Sequence, residues 1–163
     1  MDYKKILSNF AVVLLIFFTD RFSKIYILKL AELDSKVDIY LTHFLNFYLI
    51  WNKGIAFGLF SINDEIVYNF LTIIISIIIF IILIMLIRSR GFQRYSLLMV
   101  FGGSLGNLYD RIYFSAVPDF IDFHIGSFHW FIFNVADIFI TMGVICLIYA
   151  EIFLNKEENE KFN

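Results

Sequence analysis

Ionisable side chains interrupt an otherwise apolar chain at few places, and their types and spacing limit the chemistry they could perform. Asp137 follows Asn134 by three residues, so both fall on one face of a helix. Asp119 precedes Asp137 by 18 positions, in the run Val117-Pro118-Asp119-Phe120-Ile121-Asp122. A connection and one helical turn could bring the two carboxylates together. Two carboxylates in one confined site do not both ionise easily, so the pair holds a single proton near neutral pH. Such a pair can act on water as a base and on a carbonyl as an acid, which is the chemistry of aspartyl peptidases. In the plainer alternative the same acids are capped or ion-paired stabilisers. The bare residues leave both open.

Further polar groups gather at similar depth. Asp20 and Lys24 are four apart on one helical face, which reads either as a stabilising ion pair at the interface or as support for a site. Asn107, Asp110 and Arg111 also share a face, and Gly102, Gly103 and Gly106 precede them within about a turn. Gly102 and Gly106 make a small-xxx-small pattern, which lets helices approach closely. Followed at once by Asn, Asp and Arg, it implies close packing beneath a polar site.

Other chemistries fit less well. His43, His124 and His129 are the only histidines. His124 and His129 could join Asp122 on a metal, but their spacing is not that of a helical zinc pair, so the reading favours loop or interface histidines. The single Cys146 excludes an intrachain disulfide and reads as a small hydrophobe. No nucleophile elbow and no phosphate-binding loop is present.

The elements that must hold these groups follow from composition. Of 163 residues, 60% are hydrophobic and 17% charged, more apolar surface than a chain this size can hide from water. Lipid is the expected solvent for the excess. The net charge of −2 supplies no basic field for nucleic acid. Four transmembrane helices are expected, at about 6–28, 66–88, 95–113 and 130–154. The second is the clearest, with 22 consecutive residues from Ile66 to Ile87 that carry no charge. Its isoleucine block would suit a buried strand by propensity, but a lone strand in lipid leaves its backbone unpaired. The apolar run after Lys4 and Lys5 lacks a small-x-small cleavage site and meets Asp20 instead, so it reads as a retained helix. Lys4, Lys5, Arg88, Arg90, Arg94, Lys156 and Lys161 all fall on one side of four spans, which places both termini in the cytoplasm. The outer region at about 33–64 contains a stretch, Lys36 to Trp51, that alternates loosely and predicts two short antiparallel strands. The whole chain reads as one membrane domain.

These residues resemble a known family, the lipoprotein signal peptidases, or signal peptidase II. Asp20-Arg21-Phe22-Ser23-Lys24 resembles its Asp-Gln-x-x-Lys motif. Asn52-Lys53-Gly54-Ile55-Ala56-Phe57-Gly58 is similar to its Asn-x-Gly-x-Ala-Phe/Trp-Gly motif, and the run from Gly102 to Arg111 resembles its Gly-Gly-x-x-Gly-Asn-x-x-Asp-Arg motif. Val117-Pro118-Asp119-Phe120-Ile121 and Phe133-Asn134-Val135-Ala136-Asp137 resemble its two aspartate motifs. Five motifs stand in the right order, and together they are specific where each alone is weak.

The resemblance implies four transmembrane helices and a small extracytoplasmic β element. It implies an intramembrane aspartyl endopeptidase of a bacterial inner membrane that removes the signal peptide of a prolipoprotein, just before its diacylglyceryl-modified cysteine. By position Asp119 and Asp137 take the catalytic roles. Asp20, Lys24, Asn52, Gly54, Asn107, Asp110, Arg111, Asn134 and Ala136 take supporting or substrate-contacting roles. It implies no metal and no organic cofactor. The expected partners are the prolipoprotein and the lipid bilayer, with the chain acting as a monomer. Three departures stand out. Arg21 replaces a Gln and is expected to snorkel to the headgroups, Pro118 replaces a Val and is expected to stiffen the loop before Asp119, and Ile138 replaces a Ser. A small proton-coupled transporter is the rival reading, since intramembrane acids can carry protons. It lacks the internal repeat common in transporters. A non-catalytic membrane adaptor is a third.

Overall fold

The computed structural model describes residues 3–34, 37–54, 65–126 and 128–154. Among them are four long helices and one sheet. Helix α1 spans Tyr3–Asp34, α2 Glu65–Arg88, α3 Gly91–Phe114 and α4 Val135–Tyr149, which continues as a π turn over Ala150–Leu154. At about 1.5 Å per residue, the 32 residues of α1 extend about 48 Å, well beyond the apolar run that announces it.

The apolar side chains of α2 point outward almost throughout: Ile66, Phe70, Ile73, Ile77 and Phe80 are all exposed. In water such a surface would be an aggregation site. By length and composition, α2 and the stretch Val135–Phe153 are each apolar enough to cross a membrane. Helices α1 and α3 are as long, but charged residues that the fold buries break their apolar runs.

Helix α3 is the hub, packed against the other three. Its glycines are the reason it can be. A Cβ on Gly103 would sit 2.6 Å from the Ala136 carbonyl oxygen of α4, and one on Gly102 would lie 3.1 Å from Ile16 of α1. Gly143 of α4 returns the contact, since its Cβ would meet the Ser96 carbonyl at 2.7 Å. Gly102 of the small-xxx-small pattern therefore faces α1, while its neighbour Gly103 faces α4. Val13, Leu86, Leu97 and Leu98 fill the core at one end of the bundle.

The sheet lies at the other end. Strands β1 (Asp38–Thr42), β2 (Leu45–Asn52), β3 (Val117–Ile125) and β4 (Phe128–Phe133) are all antiparallel, in the order β1-β2-β3-β4. The first two fall where the alternating pattern predicts strands. The second two depart from expectation. Asp119 was expected on a loop and instead sits on a central strand, and the fourth apolar stretch does not begin as a helix near 130. Its first six residues form β4, five of them paired with β3, and α4 starts only at Val135. The physical reason is the neighbour. Phe128–Phe133 is a run of aromatic and β-branched residues that covers the exposed edge of β3, which an apolar-run criterion does not distinguish from helix. Pro118 is fully buried at the second position of β3, opposite Trp51, an early strand position where its fixed backbone is tolerated. Ile27, Val37 and Phe120 form a second small core that pins the sheet to α1.

Candidate active site

Asn134 ends the sheet and starts α4. Its extended backbone makes it an N-cap, and its side-chain oxygen accepts from the Asp137 backbone N–H at 3.1 Å. Asp137 reciprocates, its Oδ2 accepting from the Asn134 backbone N–H at 3.1 Å. This is a capping box, and it satisfies donors that a helix start would otherwise leave orphaned. A second carboxylate from another helix completes the start of α4, where Ala136 N–H donates to Asp20 Oδ1 at 3.0 Å. Negative charge is favoured at a helix N-terminus.

The Asn134 amide has one more partner. Its Nδ2 donates to Asp119 Oδ1 at 2.6 Å, so Asn134 bonds to both expected catalytic acids, to the Asp119 carboxylate through its side chain and to the Asp137 carboxylate through its backbone N–H. The other Asp119 oxygen accepts from Asn52 Nδ2 at 2.9 Å, and Asn52 is itself oriented by the Gly54 N–H, which donates to its Oδ1 at 2.9 Å. Arg111 closes this side by donating from Nη2 to the Gly54 carbonyl at 2.6 Å. Burial, with the charge of Asp137 adding to it, pushes Asp119 from an ordinary 3.8 up to about 6. The amide donors and Lys24 only partly offset this.

Asp137 is held from the far side by Asn107, whose Nδ2 donates to Oδ1 at 2.8 Å. Asn107 is fixed in turn because its Oδ1 accepts from Lys24 Nζ at 2.9 Å. Lys24 spends its other two N–H groups on Asp20 at 2.9 Å and Asp110 at 2.7 Å. All three ammonium donors are therefore used, and the Asn107 amide can point only one way.

Arg21 corrects an expectation. It does not snorkel outward but is buried beside Lys24, donating to Asp20 at 2.9 Å and to Asp110 at 2.7 Å. Its guanidinium lies 4.8 Å from the Tyr109 ring centroid. Two carboxylates and two cations thus make a buried cluster of no net formal charge. Outward rotation would leave the two acids with one cation, and uncompensated buried charge costs more than a solvated guanidinium gains. Gly106 makes room for the cluster, because a Cβ there would sit 2.6 Å from Asp20 Oδ2.

All eleven residues singled out in the sequence therefore join one hydrogen-bonded network, running from Arg111 and Gly54 through both aspartates to Asp20, Lys24 and Asp110. The segment 55–58, the rest of the loop expected to cover the site, lies outside the described residues. Sequence reasoning missed Tyr68, whose hydroxyl donates to the Arg111 carbonyl at 3.3 Å, and nothing in the uniform apolar run of α2 marks it out. It also missed a cavity of about 240 Å³ beside Asp137, lined by Phe131, Phe133, Ile138, Thr141 and Met142. The spacing of Asn134 and Asp137 was a legible sign of the capping box. Its first residue stands where helices prefer to begin.

Comparison with known proteins adds to the geometry. Residues 12–153 match the family model described as signal peptidase (SPase) II. The chain is 55% identical over 162 residues to a protein named lipoprotein signal peptidase from Pelagibacter ubique (strain HTCC1062), an alignment that covers 99% of this chain and 98% of that one. It is 39% identical to a protein of the same name from Anaplasma phagocytophilum (strain HZ), over 91% of this chain and 94% of the other. Two solved structures, each described as a bacterial membrane enzyme, superpose with TM-scores of 0.71 and 0.69 at 31% and 29% identity. They cover 94% and 90% of this chain and 91% and 93% of their own. With the family model spanning most of its length and a relative at 55% identity end to end, this chain belongs to the signal peptidase II family.

Proposed function

We propose that Asp119 and Asp137 form the catalytic pair with which this peptidase removes the signal peptide from bacterial prolipoproteins, cleaving just before the diacylglyceryl-modified cysteine. The observation that carries the pairing is Asn134, which hydrogen-bonds to both acids and so holds them in one confined site. With one proton shared between them, the ionised partner takes a proton from water while the protonated partner donates to the scissile carbonyl. The water oxygen bonds to the carbonyl carbon to give a gem-diol; as the carbon–nitrogen bond breaks, the departing amine of the cysteine takes a proton from the pair, and a gem-diol hydroxyl returns one to the pair as the carbonyl re-forms. Asn52 and Asn107 each restrain one carboxylate oxygen, so neither acid needs to reorganise during the reaction.

The four helices read best as four membrane spans with both termini cytoplasmic. Lys5, Arg88, Arg90 and Arg94 line a common cavity of about 770 Å³, while the sheet and the aspartates occupy the other end of the bundle. Basic residues favour the cytoplasmic side, which supports a sheet and site near the outer leaflet. The apolar cavity beside Asp137 suits a substrate that arrives from lipid as a hydrophobic segment. Ile138 extends that apolar lining. The chain acts as a monomer in this reading, since one copy supplies both acids and every support described.

The test is to incubate the purified protein in lipid with a diacylglyceryl-modified prolipoprotein and to sequence the products by mass spectrometry. A mature chain that begins at the modified cysteine supports the proposal. Cleavage elsewhere, or equal cleavage of the unmodified precursor, contradicts the substrate assignment.

A further inference from the structure

The sheet brings together three potential ligands that the peptidase site does not use. Asp122 and His124 are two apart on β3 and so share a face, which by strand alternation is the face opposite Asp119. His129 reaches them because of a register shift. The β3–β4 pairing runs Ile121 with Phe133, Asp122 with Ile132 and Phe123 with Phe131, then skips to His124 with His129. Had the register continued, residue 130 would oppose His124 and His129 would face the other way. Bulges commonly re-aim a side chain in this manner.

The result is compact. His129 Nδ1 lies 2.8 Å from Asp122 Oδ2, His124 Nδ1 lies 3.6 Å from the same oxygen, and one ligand atom from each residue falls within 4.8 Å of the others. The imidazole rings stack with centroids 5.2 Å apart. Ligand atoms on a tetrahedral zinc with bonds of about 2.0–2.1 Å are separated by roughly 3.3 Å, so these spacings bracket a coordinating triangle.

Two buried polar atoms beside the cluster lack hydrogen-bond partners among the described residues. His124 is 6% exposed, yet its Nδ1, the atom facing Asp122, has none. The other is Oδ1 of Asn46, the cross-strand partner of Asp122. Buried polar atoms are almost always satisfied, so an orphan imidazole nitrogen aimed at a carboxylate calls for a ligand. The Asp122 carboxylate is 2% exposed, whereas the His129 side chain is 55% exposed, which leaves an entry path from solvent.

We propose that Asp122, His124 and His129 form a binding site for a divalent first-row transition cation, separate from the aspartate pair. Two imidazoles and one carboxylate suit zinc, copper, nickel or cobalt, and do not suit magnesium or calcium, which prefer all-oxygen sets. A bound ion ties β3 to β4 at the end of the hairpin remote from Asn134. The site is independent of the peptidase assignment.

Zinc is the probe. The full chain, purified without a histidine tag, is titrated with Zn²⁺ against a chromophoric chelator, alongside His124→Gln, His129→Gln and a double Asp119→Asn/Asp137→Asn variant. The wild type and the double aspartate variant should each bind one equivalent. Both histidine variants should bind at least about tenfold more weakly. Because His129 is largely exposed, its variant should cleave substrate at the wild-type rate, which shows that the fold is kept. Visible d–d bands of tetrahedral cobalt should appear with Co²⁺ in the wild type and vanish in His129→Gln. No stoichiometric zinc in the wild type, or undiminished zinc in both histidine variants, would overturn the site. Loss of zinc in the aspartate variant alone would place the metal at the acids and also refute it.

Discussion

Asn134 performs two separable tasks, and substitutions can divide them. As an N-cap it closes the first turn of α4, a contribution of about 1 kcal/mol. As a donor at 2.6 Å it restrains the buried Asp119, and hydrogen bonds to charged groups contribute about 1.5–3 kcal/mol. Asn134→Ala loses both, so it should destabilise the protein by about 2.5–4 kcal/mol. Asn134→Ser keeps an equally good cap but is too short to reach Asp119, so it should recover about 1 kcal/mol of that loss. Cleavage should not recover with it. If the Asp119 restraint is fully expressed in the transition state, 1.5–3 kcal/mol corresponds to a fall in kcat/KM of about 10–150-fold in both variants. Urea unfolding in mild detergent, run beside the cleavage assay on the same preparations, reads both quantities. A Ser variant with wild-type kcat/KM would refute the restraint. One as unstable as the Ala variant would refute the cap.

Three other perturbations probe the same network. Asp119→Asn removes a group whose folded value is raised from 3.8 to about 6, so the native state of the wild type holds that proton more tightly than the unfolded chain does. That stabilisation is complete below about pH 3.8 and is gone above about pH 6, so across this window the variant should gain up to about 3 kcal/mol relative to the wild type, read as unfolding midpoints against pH. A flat difference would show that Asp119 titrates normally. Lys24→Met leaves Asp20 and Asp110 with Arg21 alone and frees Asn107 to turn away from Asp137. It should cost about 3–5 kcal/mol and most of the activity, and a variant with wild-type stability would mean the cluster is not coupled as drawn. Gly106→Ala forces a methyl to within 2.6 Å of Asp20 Oδ2, so it should destabilise by about 1–3 kcal/mol and slow cleavage, which thermal melts and initial rates would check.

The site was more legible in the sequence than its scaffold. Charged and amide residues are costly among apolar neighbours, so Asp20, Lys24, Asn107, Asp110, Asn134 and Asp137 announce themselves by composition alone. Their roles were less visible. Asp20 reads as the partner of Lys24, and its bond to the Ala136 N–H of α4 depends on how closely α1 approaches, which no local pattern encodes. Arg21 looked like a headgroup contact because arginine usually solves its solvation problem that way. Only the presence of two carboxylates in three dimensions makes burial the better solution. Strands β1 and β2 alternate and could be read, whereas the Pro and two Asp of β3 read as a loop, and β4 is a largely aromatic apolar run that fits strand or helix. Their pairing is a long-range choice. The transporter reading gives way because the chain belongs to a peptidase family.

The central claim is that Asp119 and Asp137 act as one unit, and non-additivity tests it most directly. Initial rates of prolipoprotein cleavage should be compared for the wild type, Asp119→Asn, Asp137→Asn and the double variant, at matched levels of folded protein. Residues that work together lose nearly everything when either is removed. Each single variant should therefore fall by about a thousandfold or more, and the double variant should fall no further. Substantial cleavage by either single variant, or losses that multiply in the double variant, would contradict a shared catalytic pair.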